Sequence, residues 1–274
     1  NMTEDVDSAV RSWELPIETG EMPESGAEFD AIVVGGGPGG SSAAGYLAKS
    51  GSRVLLIEKE VWPRDKICGD AVGGKSLSHV NELGVKADLE STPHFRVTGI
   101  LFSSPKGNSV RVPLPEEDVE KMEAGYALPR AQFDSLLFNR CQAMVREAGG
   151  SIIQGGEVRT VLFDDGGGGE DPGEGSGDAR HATGVVVRIG GRNGEERTFH
   201  TRELVGAGGY RCPVARSVVE SSYNEIMMDR DHYCGGYREY WQNVKGCEAN
   251  VGDIEIHFVD TVIPGYFWLF PVSE

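Results

Sequence analysis

The sequence predicts an α/β fold in which a parallel sheet alternating with helices is followed by a second, antiparallel sheet. Short apolar, β-branched runs at 29–34 and 53–57 predict buried parallel strands. Between them, the small residues of 41–49 predict a helix that begins after a glycine-rich turn. Three later segments have the composition of long strands in a second sheet: 237–241, 254–259 and 266–270.

The turn after the first strand carries glycines at the spacing G-x-G-x-x-G, at Gly35, Gly37 and Gly40. The first permits a tight turn, the second lets the backbone approach a pyrophosphate, and the third lets the helix pack closely. The helix N-terminus offers N–H groups and a partial positive charge to phosphates. Glu58, at the end of the second strand, is placed to accept hydrogen bonds from an adenosine ribose. This pattern predicts a Rossmann-like dinucleotide site.

The glycine spacing by itself is weak support for that site. Of the 274 residues 39 are glycine, so chance matches are expected. The prediction depends on the strand before the turn, the helix after it and the acid at the end of the next strand. The alternative is a structural glycine-rich turn, and the motif does not separate FAD from NAD.

The composition is strongly acidic. With 26 basic and 43 acidic residues the net charge is −17 and the isoelectric point about 4.8, which argues against nucleic-acid binding through a basic surface. Few of the basic residues are lysine, and a carboxylate-rich surface suits a halophilic cytoplasm. An ordinary acidic protein from a GC-rich genome is the alternative.

The cysteine pattern predicts a reducing, cytoplasmic location. The cysteines are odd in number and none forms a C-x-x-C pair: Cys68, Cys141, Cys212, Cys234 and Cys247. The six histidines lack metal-ligand spacing, so no metal is predicted. No apolar run approaches the roughly 18 residues of a membrane span, and no signal peptide is found. Peripheral contact with a membrane remains open.

Composition and pattern predict two domains. We assign 29–90 and 127–222 to the nucleotide-binding domain, and 91–126 and 223–274 to a substrate domain. Residues 1–28 are acidic and rich in proline and glycine, which predicts a flexible extension.

The remaining elements follow from apolar spacing. Helices are expected at 76–83 and 131–148, and a docked helix at 6–13 is the alternative for the extension. The low-complexity insert 164–182 predicts a disordered hairpin tip. The other predicted strands are 95–103, 109–113, 151–153, 157–163, 183–189, 195–201 and 203–207.

Four separated motifs occur in a characteristic order. They are the glycine turn with Glu58, PRDKICGD at 63–70, LPRAQFD at 128–134 and PGYFWLFP at 264–271. With these motifs the chain resembles the geranylgeranyl reductase family of FAD-dependent oxidoreductases, which has the p-hydroxybenzoate hydroxylase fold. The likeness covers about 29–274, and the last motif is the most diagnostic.

The resemblance implies that FAD is the cofactor. The loop 66–70 would lie beside the isoalloxazine ring, Arg130 at a helix start would contact the cofactor, and the backbone of Val158 would meet the adenine. A surface arginine before a helix is the alternative for Arg130. The implied cofactor-binding residues are Gly35, Gly37, Pro38, Gly39, Gly40, Glu58, Lys59, Lys66, Cys68, Gly69, Asp70, Arg130, Val158 and Gly208.

Three residues are candidates for catalysis: Cys68, Tyr266 and Trp268. A thiol with a reference pKa of about 8.5 carries its proton at neutral pH, so Cys68 is a candidate proton donor or redox-active thiol. Its alternative role is that of a small packing residue. Strand alternation places Tyr266, Trp268 and Phe270 on one face, which would line a lipid-facing cavity or belong to the strand core.

Two features depart from the family. Gly208 and Gly209 stand where the family has an Asp-Gly pair, which removes a carboxylate near the flavin phosphate or ribitol. A third family motif, Gly-Asp-Ala, does not occur before the sequence stops, so we expect an incomplete second domain.

The favoured hypothesis is an FAD-dependent reductase that saturates isoprenoid double bonds of membrane lipid precursors, with archaeal ether lipids as the preferred class. The electron donor, NAD(P)H or ferredoxin, is unassigned. A flavin-dependent monooxygenase or halogenase of the same fold is the second hypothesis. A nucleotide-binding fragment without turnover is the third.

Overall fold

The computed structural model describes residues 20–121, 124–164, 181–222, 234–246 and 251–272. Most of the predicted extension, its alternative helix and nearly all of the predicted insert lie outside them. The elements are β1 (Glu28–Val34), α1 (Pro38–Lys49), β2 (Val54–Glu58), β3 (Ala71–Gly73), α2 (Ser76–Glu82), α3 (Lys86–Ser91), β4 (Phe95–Ser103), β5 (Ser109–Pro113), α4 (Glu116–Glu120), β6 (Gly125–Ala127), α5 (Arg130–Glu147), β7 (Ser151–Gln154), β8 (Gly156–Phe163), β9 (Ala182–Ile189), β10 (Glu195–Gly206), α6 (Pro213–Ser222), β11 (Val251–His257) and β12 (Phe267–Leu269).

The chain divides into two compact units. Among the described residues, the first unit comprises 20–64 and 137–222, and the second comprises 65–136 and 234–272. The predicted division fell at 90 and 127 instead. The difference arises because β3, which lies within the segment assigned to the first domain, pairs with β6 in the sheet of the second unit.

The first unit contains a six-stranded sheet with the order β7-β2-β1-β10-β9-β8. The four strands from β7 to β10 are parallel neighbours, and β10, β9 and β8 form the predicted antiparallel meander. All five side chains of β2 are buried, as its continuous apolar run predicts for a strand covered on both faces. This arrangement places the glycine turn at the carboxyl end of β1.

Strand β10 is a single element where the sequence predicted two. Its first half pairs antiparallel with β9, and its second half pairs parallel with β1 from Glu28↔His200 to Val34↔Gly206. The predicted break was wrong because Arg202 and Glu203 are accommodated with exposed side chains on a continuing strand. The Thr201 hydroxyl donates to the carbonyl oxygens of Asp30 and Glu203 there.

The second unit contains another six-stranded sheet, with the order β12-β11-β4-β6-β3 and β5 paired to β4. Most neighbours are antiparallel, as predicted, but β11 lies parallel to β4. The predicted strand at 237–241 was wrong. Residues 234–246 form an irregular segment, because Arg238 and Tyr240 bind a neighbouring loop instead of a strand ladder.

The predicted apolar stripe of α5 is confirmed, since all of its members are buried: Phe133, Leu136, Leu137, Cys141 and Val145. In the first unit, the small residues Ala44 and Ala48 let α1 pack closely on the sheet. Within the described parts of the chain, no helix combines the length and apolar character needed to cross a membrane.

Candidate functional site

The glycine turn of the first unit can be formed only by glycine at two positions. Gly35 has φ +108°, and a Cβ there would lie 2.4 Å from the carbonyl oxygen of Ala207. A Cβ on Gly40 would lie 1.7 Å from the carbonyl oxygen of Gly35. These contacts account for the first and third glycines of the motif, because no heavier residue fits without moving backbone.

The turn is open on the side where a ligand would lie. Among the described residues, a Cβ on Gly39 would meet nothing within 4 Å, and one on Gly37 would meet only Arg64 Nη2, at 3.2 Å. The first amides of α1 have no intrahelical acceptors, so they are available to an anion. The open space above these glycines is lined by backbone amides and one guanidinium. These groups fit the pyrophosphate of a dinucleotide. The predicted roles of Gly37, Pro38 and Gly39 are compatible with this geometry.

Glu58 fastens the turn to the end of β2. Its side chain is buried, Oε2 accepts the Gly36 N–H at 2.7 Å, and Oε1 accepts the Glu60 N–H at 2.9 Å. A carboxylate oxygen accepts more than one hydrogen bond, so the predicted contact with ribose hydroxyls remains compatible with these bonds. Glu58 therefore fixes the backbone of the turn through Gly36.

Arg64 also lies at this turn, although no role was predicted for it. Its side chain is only 15% exposed, Nη2 lies 3.7 Å from Glu58 Oε2, and the guanidinium sits 4.5 Å over the Trp62 ring. Trp62 in turn stacks on Phe138, with ring centroids 4.8 Å apart. The stacked rings and the carboxylate therefore hold a positive charge over the open turn. The only sequence signal was the position of Arg64 in the PRDKICGD motif.

We expect Arg64→Gln to raise the dissociation constant of FAD about tenfold, because a charge-assisted hydrogen bond to a phosphate contributes roughly 1.5 kcal/mol or more. Quenching of flavin fluorescence on titration measures this. Arg202→Gln is the matched control, since it removes the same charge from the exposed surface of the same unit. Equal affinities for the two variants would contradict a role for Arg64 in the site.

In the second unit, the loop 65–70 ends at a buried carboxylate. Asp70 is 3% exposed, and its Oδ1 accepts the backbone N–H of Arg130 at 2.9 Å and the Tyr240 hydroxyl at 2.8 Å. Burial raises the pKa of the Asp70 carboxyl, although the Tyr240 hydroxyl, Arg238 and Arg130 all oppose that rise. Asp70 therefore joins the loop to the start of α5.

Arg130 is buried rather than a surface residue. Its Nη2 and Nε donate to Asp134 Oδ1 at 2.7 and 3.0 Å, and Nη1 lies 3.4 Å from the Gly69 carbonyl oxygen. Burial alone would lower the pKa of Arg130, but Asp134 and Cys68 raise it above its ordinary value. The guanidinium thus holds the Cys68–Gly69 part of the loop.

The aromatic row of the second unit ends on the same loop. Ring centroids are 6.0 Å apart for Tyr266 and Trp268, and 6.5 Å apart for Trp268 and Phe270, which confirms that they share a face. A Cβ on Gly69 would lie 3.1 Å from Phe270 Cε2, which places the ring closely against the backbone of this loop. The second unit therefore brings together an exposed thiol, a buried arginine, a buried carboxylate and an aromatic face.

The remaining predicted site residues are placed as follows. Val158 lies on β8, and its side chain belongs to the core of the first unit. Gly208 follows β10, where a Cβ would lie 3.1 Å from the Cα of Cys212. Lys59 and Lys66 are exposed, and Lys59 pairs with Glu60 at 3.4 Å. The cofactor contacts proposed for these four residues remain predictions.

Residues 28–229 match the model of a protein family described as an FAD binding domain. This match confirms FAD as the predicted cofactor. Together with structural neighbours of the same architecture, it also confirms the mixed α/β fold.

Two relatives and one solved structure illustrate what the chain is similar to. It is 26% identical over 247 residues to a menaquinone reductase of Mycobacterium tuberculosis, covering 89% of this chain and 52% of that protein. It is 29% identical over 255 residues to a digeranylgeranylglycerophospholipid reductase of Methanocaldococcus jannaschii, covering 92% and 55%. The chain thus spans about half the length of these relatives. The myxobacterial chondrochloren halogenase CndH superposes with a TM-score of 0.54 at 29% identity, covering 69% of this chain and 38% of that one.

Proposed function

Because this chain belongs to the FAD binding domain family, we propose that it acts in an FAD-dependent reductase that saturates carbon–carbon double bonds of isoprenoid chains. Two similar proteins are named as reductases of menaquinone and of digeranylgeranylglycerophospholipid, and both of these molecules carry isoprenoid chains. Membrane lipid precursors of the archaeal ether type are the substrate class that the second relative favours. Reduced nicotinamide nucleotides and ferredoxin are the candidate electron donors.

The observation that carries this proposal is the aromatic row that ends on the Cys68–Asp70 loop. An isoprenoid chain is apolar, so it needs an apolar surface to lie on, and Tyr266, Trp268 and Phe270 provide one. The end of that surface is at Gly69, which follows Cys68 in the sequence and whose carbonyl oxygen lies 3.4 Å from Nη1 of the buried Arg130. An alkene held along the row would therefore lie with one end beside the loop that carries the Cys68 thiol.

Saturation of an alkene requires a hydride at one carbon and a proton at the other. Bound FAD, once reduced, supplies the hydride. In this proposal Cys68 Sγ holds the proton that is delivered to the second carbon and regains one from solvent, to which it is exposed. Arg130 holds the loop that carries this thiol, and the aromatic row orients the chain and excludes water from one side of it.

The proposal is tested with the full protein loaded with FAD and reduced by dithionite under strict anaerobic conditions. Addition of a geranylgeranyl glycerophospholipid is expected to restore the absorption band of oxidised flavin and to yield a product heavier by two hydrogens per bond. Cys68→Ser is expected to slow this reoxidation at least about tenfold, because a hydroxyl is a much weaker acid than a thiol. Reoxidation that begins only when oxygen is admitted would contradict the proposal.

A halogenase or monooxygenase activity is the second candidate, and the similarity to CndH at 29% identity favours it specifically. The same preparation discriminates between the two, because a halogenase or monooxygenase consumes oxygen and leaves an isoprenoid unreduced under anaerobic conditions. A protein that takes up no FAD on reconstitution would support the non-enzymatic hypothesis instead.

Since the proposed substrate resides in a membrane, peripheral contact with lipid belongs to the first proposal, and co-sedimentation with liposomes tests it.

A further inference from the structure

The irregular segment 234–246 exposes most of its side chains but buries one charged group. Tyr237 and Trp241 are 74% and 76% exposed, whereas the side chain of Arg238 between them is only 7% exposed. Burying a guanidinium is costly unless it is paired and hydrogen-bonded. The partners of Arg238 therefore indicate what this segment is shaped to hold.

Arg238 binds both ends of the loop 65–70. Its Nη2 pairs with the Asp65 carboxylate, while Nη1 lies 3.2 Å from the Lys66 carbonyl oxygen and 3.5 Å from Asp70 Oδ1. The guanidinium also sits 4.5 Å over the ring of Tyr240. The planar guanidinium of arginine can bind three acceptors and stack on a ring at the same time. A lysine ammonium cannot reproduce this set of contacts.

Tyr240 adds a second contact to the far end of the same loop. Its hydroxyl donates to Asp70 Oδ1 at 2.8 Å, the same oxygen that accepts the Arg130 backbone N–H at 2.9 Å. Burial, together with the Asp70 carboxylate, raises the pKa of Tyr240, so the hydroxyl keeps its proton and remains a donor at neutral pH. One carboxylate oxygen therefore ties the loop both to α5 and to the segment 234–246.

Cys68 lies between the two ends that are held in this way. On one side Asp65 and Lys66 contact Arg238, and on the other Asp70 contacts Tyr240. Arg130 Nη1 lies 3.4 Å from the carbonyl oxygen of Gly69, the residue that follows Cys68. A short loop held at both ends has few conformations left for the residue in its middle. The position of an otherwise exposed thiol is thereby defined.

We propose that Arg238 and Tyr240 are positioning residues that fix the loop 65–70 and thereby set the position of Cys68. This inference rests on the proposed function for its catalytic consequence, because Cys68 delivers the proton there. Neither residue touches the reacting atoms in this proposal. They act through Asp65 and Asp70. Their role is distinct from general packing because both make polar contacts with the same loop.

The test compares Tyr240→Phe, Arg238→Ala and Arg238→Lys with Tyr237→Phe as the matched control. Tyr237→Phe removes the same hydroxyl three residues earlier in the segment, where it donates to the surface residue Glu239. The first readout is the rate at which iodoacetamide alkylates Cys68 in the FAD-free protein, resolved from the exposed Cys234 by peptide mass spectrometry. This readout requires neither the cofactor nor an isoprenoid.

We expect alkylation of Cys68 to rise about fivefold in Tyr240→Phe and more in Arg238→Ala, because a loop released at either end no longer confines the thiol to one position. Arg238→Lys should resemble Arg238→Ala, and Tyr237→Phe should match the unmodified protein. In the anaerobic reduction, kcat should fall by a similar factor in the first two variants while KM for the lipid stays within about twofold.

The outcomes separate the two proposals. If the unmodified protein does not reduce an isoprenoid, the proposed function fails, whereas the alkylation rates still decide whether Arg238 and Tyr240 position Cys68. Unchanged Cys68 alkylation in Tyr240→Phe and Arg238→Ala, at equal folded fractions by circular dichroism, would overturn the inference. Full recovery of the rate in Arg238→Lys would overturn the role given to the arginine fork.

Discussion

Gly40→Ala is expected to abolish FAD binding and to lower the free energy of unfolding by about 3 kcal/mol, the upper end of the usual cost of overpacking. The added Cβ would lie 1.7 Å from the carbonyl oxygen of Gly35, which is backbone and cannot rotate away. Gly35 is itself held against Ala207 and has a positive φ that few other residues adopt. The turn and the start of α1 would have to separate, which opens the amide cradle. Urea unfolding and flavin fluorescence measure the two effects.

Gly39→Ala is the matched control for this change. It adds the same methyl group one position earlier in the same helix, where no atom in the described part of the chain would lie within 4 Å of it. Because alanine is favoured over glycine in helices by up to about 1 kcal/mol, the stability of this variant should be unchanged or slightly higher. A loss of stability is therefore expected for Gly40→Ala and not for Gly39→Ala. Similar losses in both variants would show that the clash at Gly35 is not the cause.

Arg130→Met is the second change with a large expected effect, a loss of about 3–5 kcal/mol in the free energy of unfolding. Both members of the Arg130–Asp134 pair are buried, with exposures of 7% and 2%. Removing the guanidinium leaves the Asp134 carboxylate in the interior without that cation, and it also removes the contact with the Gly69 carbonyl oxygen. Urea denaturation of the FAD-free protein measures the loss.

Two further variants check the explanation for Arg130. Arg130→Met combined with Asp134→Leu removes both charges, so it should recover most of the lost stability. Arg159→Met removes one partner of an exposed pair with Glu157, and it should cost less than about 1 kcal/mol. If the double variant is no more stable than Arg130→Met alone, the loss comes from the loop contacts rather than from the uncompensated carboxylate.

The predicted and observed structures agree best where a few consecutive residues decide the conformation. Strands β1 and β2 follow from continuous apolar runs, and α5 follows from apolar residues at helical spacing. The shared face of Tyr266, Trp268 and Phe270 follows from strand alternation, which holds wherever the chain is extended. Predictions failed where a segment's conformation depends on a distant partner, as at 237–241 and at the predicted break in β10.

By itself, the sequence determined the glycine turn, the acid that follows it and the prediction of a dinucleotide site. Each of these depends on a short local pattern of glycines and apolar residues. Only the tertiary structure decided that Arg64 lies over the glycine turn and that β11 is parallel to β4. It also decided that Arg238 and Tyr240 bind the loop 65–70. These features join residues far apart in the chain or place a side chain against a distant surface. Their energies come from burial and charge pairing in the folded state, for which no local pattern of residues exists.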